Sequence, residues 1–195
     1  MFTNDHNFHF VIQLPTDFEV YDFSQGYDPN RTLSSPYGIG KYAENRPGMY
    51  KGDLFENDQR TIHMGIDIAA PIGTSIHSFA DGTIHCFGIN PQPFDYGPTI
   101  ITKHVIEDIT IYALFGHLSR ASLKDKKPGQ IIKKGETIAY LGAKEENGGW
   151  NPHLHFQLSL IEPKTHDLPG VVHKDQLLWA LENFPDPRIV LGPLY

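Results

Sequence analysis

Four histidines and one aspartate stand in three short stretches of the chain, in a pattern that suits a catalytic zinc site. They are His63 and Asp67 in the first stretch, His117 alone in the second, and His153 and His155 in the third. Imidazole nitrogen and carboxylate oxygen are zinc ligands, and a catalytic site typically keeps three protein ligands and one open position for water. We assign His63, Asp67 and His155 to the metal and place His117 and His153 beside the water.

Two imidazoles and one carboxylate leave a bound Zn²⁺ ion with a net positive charge, so that it stays a good Lewis acid. Such an ion lowers the pKa of water and polarises a carbonyl group. An uncoordinated histidine can take a proton from the water and return it to a leaving amine. His117 and His153 both suit this role, and the sequence leaves open which is the base. These groups predict hydrolysis of an amide bond in a peptide or amide substrate.

The first stretch has to bend before both of its polar residues can reach one ion. Isoleucines around it favour a strand, whereas Gly65 within it and Pro71 after it argue against a helix. On a flat strand, His63 and Asp67 would lie roughly 13 Å apart on the same face. We therefore predict a kink near Gly65, because glycine can supply the bend.

The other two stretches are predicted to reach the site from strands. Residues 153–160 alternate polar and apolar side chains, which is typical of a strand. The polar face carries His153 and His155 and is expected to line a cleft, while the apolar face enters the core. His117 follows a strand predicted at 109–115, and strand ends often present functional residues to a cleft.

The remaining pattern predicts an all-β fold, mainly an antiparallel sheet, with a short C-terminal helix. Further strands are predicted at 75–80, 83–88, 99–105, 130–132 and 137–141, and a helix that covers one sheet edge at 175–183. Asp81-Gly82, a favoured type I′ turn pair, predicts a hairpin between the first two of these strands. Residues 133–135 predict a second strand pair, between 130–132 and 137–141.

Residues 1–60 are interpreted as an N-terminal wrapping segment, and residues 61–195 as the metallopeptidase-like β domain. Residues 24–58 are rich in Gly, Pro, Asn, Asp and Tyr, which indicates irregular connection. Arg46 and Tyr50 are interpreted as surface-loop residues, with an active-site role as the alternative. Trp150 has two open interpretations, stacking on substrate or packing at the base of its loop.

Composition restricts the partners of the chain. Of its 195 residues, 39% are hydrophobic and 20% are charged, with a net charge of −7 and no basic cluster. Nucleic acid and an anionic membrane surface are therefore not expected as partners. The single cysteine excludes an internal disulfide, and the first residues have neither a basic start nor an apolar run, so we expect a cytoplasmic protein. The oligomeric state is left open.

The order and spacing of the motifs resemble the lysostaphin and LytM type zinc endopeptidases over about residues 61–160. The resemblance implies a groove of the duplicated-hybrid-motif type, Zn²⁺ held by His63, Asp67 and His155, and a catalytic pair of His117 and His153. It also implies cleavage of peptide cross-links in bacterial cell walls. The matching motifs are His63-x-Gly65-x-Asp67, Pro71-x-Gly73-Thr74, Asp81-Gly82, Gly116-His117-Leu118-Ser119 and Pro152-His153-Leu154-His155-Phe156.

Two stretches depart from the secreted members of that family. Residues 95–99 and 145–150 more closely resemble the peptidase-like domain found between a kinase-like domain and a class III aminotransferase in some long proteins. We also expect neither a signal peptide nor a wall-binding domain of the kind that secreted relatives carry. The substrate is therefore open between peptidoglycan-type peptides and another small amide.

Two other classes of function remain as alternatives on the same scaffold. One is a non-catalytic metal-binding module, because a fold alone does not fix function. The other is a histidine phosphocarrier, which would use two facing histidines and would not require Asp67. Retention of all five residues favours the hydrolase.

Overall fold

The structure is a computed structural model that describes residues 7–26, 28, 34–56 and 59–195. Its strands are β1 (Glu19–Val20), β2 (Gly38–Gly40), β3 (Glu44–Asn45), β4 (Ile62–His63), β5 (Ile66–Ala69), β6 (Ser75–His77), β7 (Gly82–Asn90), β8 (Gly97–Ile106), β9 (Ile109–Gly116), β10 (Ile131–Ile132), β11 (Thr137–Tyr140), β12 (His153–Ser159) and β13 (Val171–Val172). Two helices follow, α1 (Leu177–Asn183) and α2 (Arg188–Leu191), and 3-10 turns lie at Asp53–Phe55, Arg120–Leu123 and Lys174–Gln176.

Within the described ranges, the strands form three sheets. The largest has eight strands in the order β1-β2-β5-β12-β9-β8-β7-β10, and it is antiparallel except for the β1–β2 pair. A three-stranded sheet has the order β13-β4-β3, and β6 pairs with β11. The prediction of an all-β fold with a short C-terminal helix is confirmed. None of the described helices is long and apolar enough to cross a bilayer.

Both faces of the large sheet are buried at its central strands. Along β9, Ile111 and Phe115 point into one apolar core, whereas Tyr112 and Leu114 point into a second core on the opposite face. Strand residues alternate between faces, so this pattern requires a cover on each side. The segment after β12, including α1, provides the cover over the second face.

Helix α1 packs on a face of the sheet, so the prediction that it covers an edge is wrong. Its inward residues are Leu177 and Ala180, and Phe184 follows at the same helical spacing. Leu178 is 77% exposed, although it belongs to the apolar pattern from which the helix was predicted. The short helix therefore covers the face on which the histidines of β12 lie.

Neither of the two predicted hairpins forms. Strand β6 pairs with β11 instead of β7, and β10 pairs with β7 instead of β11. Gly82 does not adopt the left-handed φ that a type I′ turn requires. Instead, the carboxylate of Asp81 accepts hydrogen bonds from the backbone N–H of Lys134 at 2.8 Å and from Nζ of Lys133 at 3.1 Å. Asp81 thus connects the turn between β6 and β7 with the turn between β10 and β11.

One histidine is buried in the larger core, far along β8 from the predicted site. His104 is 1% exposed and its ring stacks near Phe79, with ring centroids 4.2 Å apart. Its two ring nitrogens contact Thr102 Oγ1 at 2.7 Å and the backbone carbonyl of Asp81 at 3.0 Å. Burial lowers the pKa of His104 from 6.5 to about 4, because the charged imidazolium would lose its hydration.

Replacement of His104 should make the free energy of unfolding depend less on pH below neutrality. Between pH 6.5 and 4 the unfolded chain binds a proton at this residue and the folded chain does not, so the free energy of unfolding falls as the pH is lowered. From pH 7.5 to pH 5 the contribution is about 2 kcal/mol. Between pH 7.5 and pH 5, the free energy of unfolding measured in urea should fall by about 2 kcal/mol less for His104→Gln than for the wild type. Parallel pH profiles for the two chains would contradict the assignment.

Candidate metal centre

A break in the chain between β4 and β5 brings His63 and Asp67 together. His63 ends a strand of the three-stranded sheet, whereas Asp67 lies in the large sheet, so the chain changes sheets at Met64 and Gly65. In β12, His155 pairs directly with Asp67 across the strands. Gly65 serves mainly to leave space, because a Cβ there would lie 2.5 Å from Cε1 of His155.

Three potential ligand atoms converge where the two sheets meet. His63 Nε2 lies 3.0 Å from His155 Nδ1 and 3.2 Å from Asp67 Oδ1, and His155 Nδ1 lies 3.1 Å from the same oxygen. Ligands at tetrahedral zinc distances are about 3.3 Å from one another. The triangle therefore has the size that tetrahedral coordination requires. Within the described residues, His63, Asp67 and His155 are the group of at least three His, Cys, Asp or Glu side chains that could hold a metal ion.

Hydrogen bonds on the outer side of each ring direct the two imidazoles. His63 Nδ1 lies 3.0 Å from the carbonyl oxygen of Lys41, and His155 Nε2 lies 3.0 Å from Oε1 of Gln157. Because both partners only accept, these nitrogens carry the protons, and the lone pairs of the other two nitrogens face Asp67. Gln157 in turn donates from Nε2 to the carbonyl of Pro169 at 3.3 Å. The amide is thereby held in the orientation that the histidine needs.

The charge states also suit a cation. Burial, and then the nearby Arg46, lowers the pKa of His63 to about 4, so this ring is neutral at neutral pH. Burial alone would raise the pKa of Asp67, but His63 and Arg46 hold it well below its usual value. The neutral imidazole of His63, the ring nitrogen of His155 and the carboxylate of Asp67 converge on one point, and this set of ligand atoms fits Zn²⁺.

Arg46 is wholly buried beside Asp67, so its interpretation as a surface-loop residue is wrong. Its Nη1 donates to Oδ2 of Asp67 at 2.6 Å, and its Nε donates to Glu44 at 2.9 Å. The guanidinium thus occupies one carboxylate oxygen of Asp67 and leaves Oδ1 for the metal. Gly40 pairs with Asp67 in the sheet, and a Cβ there would lie 2.8 Å from Nη2 of the arginine.

Tyr50 belongs to the same buried group, so it is not a surface-loop residue either. It is 5% exposed, and its hydroxyl accepts a hydrogen bond from Nη1 of Arg46 at 3.0 Å. The sequence holds no periodic signal for either residue, because residues 24–58 are rich in turn-forming types. The prediction of irregular connection is wrong at β2 and β3, which lie within this stretch, and Arg46 directly follows β3. Gln157 did have a signal, since it shares the polar face of β12 with the two histidines.

The structure also brings His117 and His153 beside the three ligand atoms. Their ring centroids are 4.3 Å apart, and His153 Nε2 lies 3.7 Å from Asp67 Oδ1. Nδ1 of His117 contacts the carbonyl of Asn147 at 2.8 Å, and Nδ1 of His153 contacts that of Asn151 at 2.7 Å. Each ring therefore keeps a lone pair on Nε2.

Two further observations mark this pair of histidines as a reactive group. Burial lowers the pKa of His153, and burial followed by the nearby His153 lowers the pKa of His117 well below its usual value. Both rings are therefore neutral bases at neutral pH. His117 also has a left-handed φ of +62°, and its backbone N–H donates to Tyr96 at 2.8 Å. Strain of this kind in a non-glycine residue concentrates at functional sites.

Only the N-terminal end of β12 faces the site cavity. Gln157 and Ser159 are fully buried beneath the segment that follows the strand, whereas the side chain of His153 is 17% exposed. The expectation that the whole polar face lines a cleft is therefore wrong beyond His155. Alternation places residues on one face but does not reveal that a later segment covers part of that face.

Known proteins resemble the chain around this centre. The model of peptidase family M23 matches residues 61–166. The DD-carboxypeptidase/endopeptidase Mpg of Neisseria meningitidis is 34% identical over 112 residues, which are 55% of this chain and 23% of that protein. The peptidoglycan DD-endopeptidase ShyB of Vibrio cholerae is 32% identical over 112 residues, which are 55% of this chain and 24% of that protein.

The solved structure of the antimicrobial peptidase lysostaphin from Staphylococcus simulans has the same fold. It matches with a TM-score of 0.50 and 20% identity, over 82% of this chain and 53% of that one. The chain spans less than a quarter of the length of the two curated relatives. Arg46 and Tyr50 stand before the first residue of the family match.

Arg46→Lys should weaken metal binding without removing a ligand. Lysine keeps the positive charge, but it cannot donate to Glu44 and Asp67 together as a planar guanidinium does. Loss of such an outer partner typically costs 10–100-fold in metal affinity, and we expect about that loss here. Competition for added Zn²⁺ with a chromophoric chelator measures the effect. Arg120→Lys, at an exposed arginine, is the matched control and should bind Zn²⁺ like the wild type.

Proposed function

The chain belongs to peptidase family M23, and on that basis we propose that it hydrolyses an amide bond with the help of Zn²⁺, in a peptidoglycan-type peptide or a related small amide. The observation that carries the proposal is the triangle of His63 Nε2, Asp67 Oδ1 and His155 Nδ1, at 3.0–3.2 Å, beside two neutral histidines. The relatives named as DD-endopeptidases support a peptide substrate.

The residues of this chain divide the chemistry between them. His63, Asp67 and His155 would hold Zn²⁺, which when bound acts as a Lewis acid toward water and the amide carbonyl. Nε2 of one of the two neutral histidines accepts a proton from the attacking water as the new C–O bond forms. When the C–N bond breaks, that proton passes to the leaving amine nitrogen. Both Nε2 atoms are free for this role, so either His117 or His153 can be the base.

The finer resemblance, to the peptidase-like domain of kinase-like and aminotransferase fusion proteins, stays a prediction. Its two stretches are neighbours in space, which supports treating them as one feature. A Cβ at Gly97 would lie 2.8 Å from the carbonyl oxygen of Glu146, and a Cβ at Gly148 would meet the carbonyl of Asp95. The cytoplasmic location and the absence of nucleic-acid and membrane partners also stay predictions.

Metal removal should abolish hydrolysis, and Asp67→Ala should do the same. Because Asp67 supplies the anionic ligand atom and also pairs with Arg46, its loss removes a metal ligand and one of the two carboxylates that neutralise the buried arginine. We expect turnover of a peptide library to stop after chelation and to return when Zn²⁺ is added back, with metal content followed by mass spectrometry. A purified chain that takes up no metal when Zn²⁺ is supplied would overturn the proposal. Asp67→Ala that retains full function would instead favour the phosphocarrier.

His153→Ala should lower kcat while the metal is retained. His153 lies beside the ligand triangle but is not part of it, so its loss removes one of the two groups that can transfer the proton and leaves the metal ligands in place. General acid–base groups typically contribute 10²–10⁴-fold, and we expect about that loss in kcat. His173→Ala, at a histidine that does not line the site cavity, is the matched control. Retained zinc without hydrolysis of any amide by the wild type would favour the non-catalytic module.

A further inference from the structure

A cavity of about 790 Å³ opens beside the metal centre. The three ligand residues and both catalytic-type histidines line it, together with side chains from before residue 60 and from the loops at 94–96 and 150–153. Its volume lies in the range of small-molecule sites, which are largely apolar with a few directed polar groups. The cavity can therefore hold more of a substrate than the amide that reacts.

One side of this cavity is an aromatic wall, formed by Phe94, Trp150, Tyr50 and Phe55. Successive ring centroids along it are 5.2, 6.4 and 5.1 Å apart, distances typical of interacting aromatic pairs. The ring of Trp150 is also 6.4 Å from that of His153. The wall thus begins within one side chain of the groups that would transfer the proton.

Phe94 is held at the open end of the wall in an unfavourable conformation. Its φ is +66°, a left-handed value that bulky residues rarely adopt, and its side chain is 48% exposed. The hydrogen bonds of its backbone to Trp150 and Gly148 maintain this conformation. Strained backbone of this kind clusters at active sites and ligand-binding positions, and the exposed ring of Phe94 lines the same cavity as His117 and His153.

We infer that the aromatic wall binds a large apolar side chain, best an aromatic one, on the residue that flanks the scissile amide. This inference rests on the proposed amide hydrolysis. A glycine would leave the partly exposed rings of Phe94 and Trp150 in water, whereas an aromatic side chain would cover them and gain ring–ring contacts with them. Tyr50 and Phe55 are only 5% and 7% exposed, and they support Trp150 from behind. The substrate class is therefore a peptide with a bulky apolar residue beside the cleaved bond.

Half of the wall comes from the segment that precedes the family match. Tyr50 and Phe55 stand before residue 61, and Tyr50 is fixed by its hydrogen bond with Arg46. Trp150 and Phe94 come from loops within the matched region. Selectivity for a bulky side chain thus arises where this N-terminal segment meets those loops.

The test compares peptides that differ only at the residue beside the cleaved bond. N-acetyl-Ala-X-Ala amides with X as Gly, Ala, Leu or Phe are given to the zinc-loaded chain, and kcat/KM is measured for each. We expect the Phe peptide to exceed the Gly peptide by about 10- to 100-fold, the range that apolar pocket contacts supply. Trp150→Ala should remove most of this preference, so that the ratio of kcat/KM for the Phe peptide to that for the Gly peptide falls toward one.

Matched variants separate contact with substrate from support of the loop. Trp150→Phe keeps a ring but removes the Nε1 hydrogen bond to Phe94, and it should retain most of the preference. Phe10→Ala removes an exposed aromatic ring that does not line the cavity and should behave like the wild type. Equal rates for the Gly and Phe peptides, or an equal loss for all peptides in Trp150→Ala, would overturn the inference.

A binding measurement distinguishes this inference from the proposed function. Calorimetry with N-acetyl-phenylalanine amide and N-acetyl-glycine amide reports on the wall without turnover. Tighter binding of the phenylalanine compound, lost in Trp150→Ala, supports the wall even when no peptide is hydrolysed, in which case the proposed function fails alone. Equal binding of both compounds by the wild type overturns the inference, whether or not peptides are cleaved.

Discussion

The buried carboxylate of Asp67 is the group on which the rest of the centre depends. A buried charge is unfavourable unless it is paired and hydrogen-bonded. Arg46 satisfies one oxygen at 2.6 Å, and the other oxygen faces His63 and His155. The arginine is itself buried and is neutralised in turn by Glu44. This chain of pairings keeps Asp67 ionised and directs a single oxygen toward the two imidazole lone pairs.

The geometry of the ligands follows from two sheets that meet at a short break in the chain. His63 belongs to one sheet and Asp67 to the other, while His155 lies opposite Asp67 in the antiparallel register. Residues opposite each other in such a pair have their side chains close together. His63, the third of these residues, reaches Asp67 and His155 because the chain changes sheets at Met64 and Gly65. The absence of a side chain at Gly65 leaves space for the ring of His155.

The segment before residue 60 has two functions in this arrangement. Strands β2 and β3 add to the two sheets beside β5 and β4, which carries Arg46 to the rear of Asp67. The residues that follow place Tyr50 and Phe55 in the cavity wall. Both contributions lie outside the matched residues 61–166. The segment therefore packs behind the candidate metal ligands and borders the cavity in front of them.

The sequence by itself determined the residue types of the centre, the β class of the fold and the strands of its core. Alternation in 153–159 and the glycine between His63 and Asp67 are local features, and local features can be read from one stretch. Strand partners are not local, and the exchange of β6 and β7 partners depended on which surfaces could be buried together. The same holds for Arg46, whose irregular neighbourhood gave no sign of burial. Only the tertiary structure decided its role, because the free energy of a buried ion pair depends on groups that are distant along the chain.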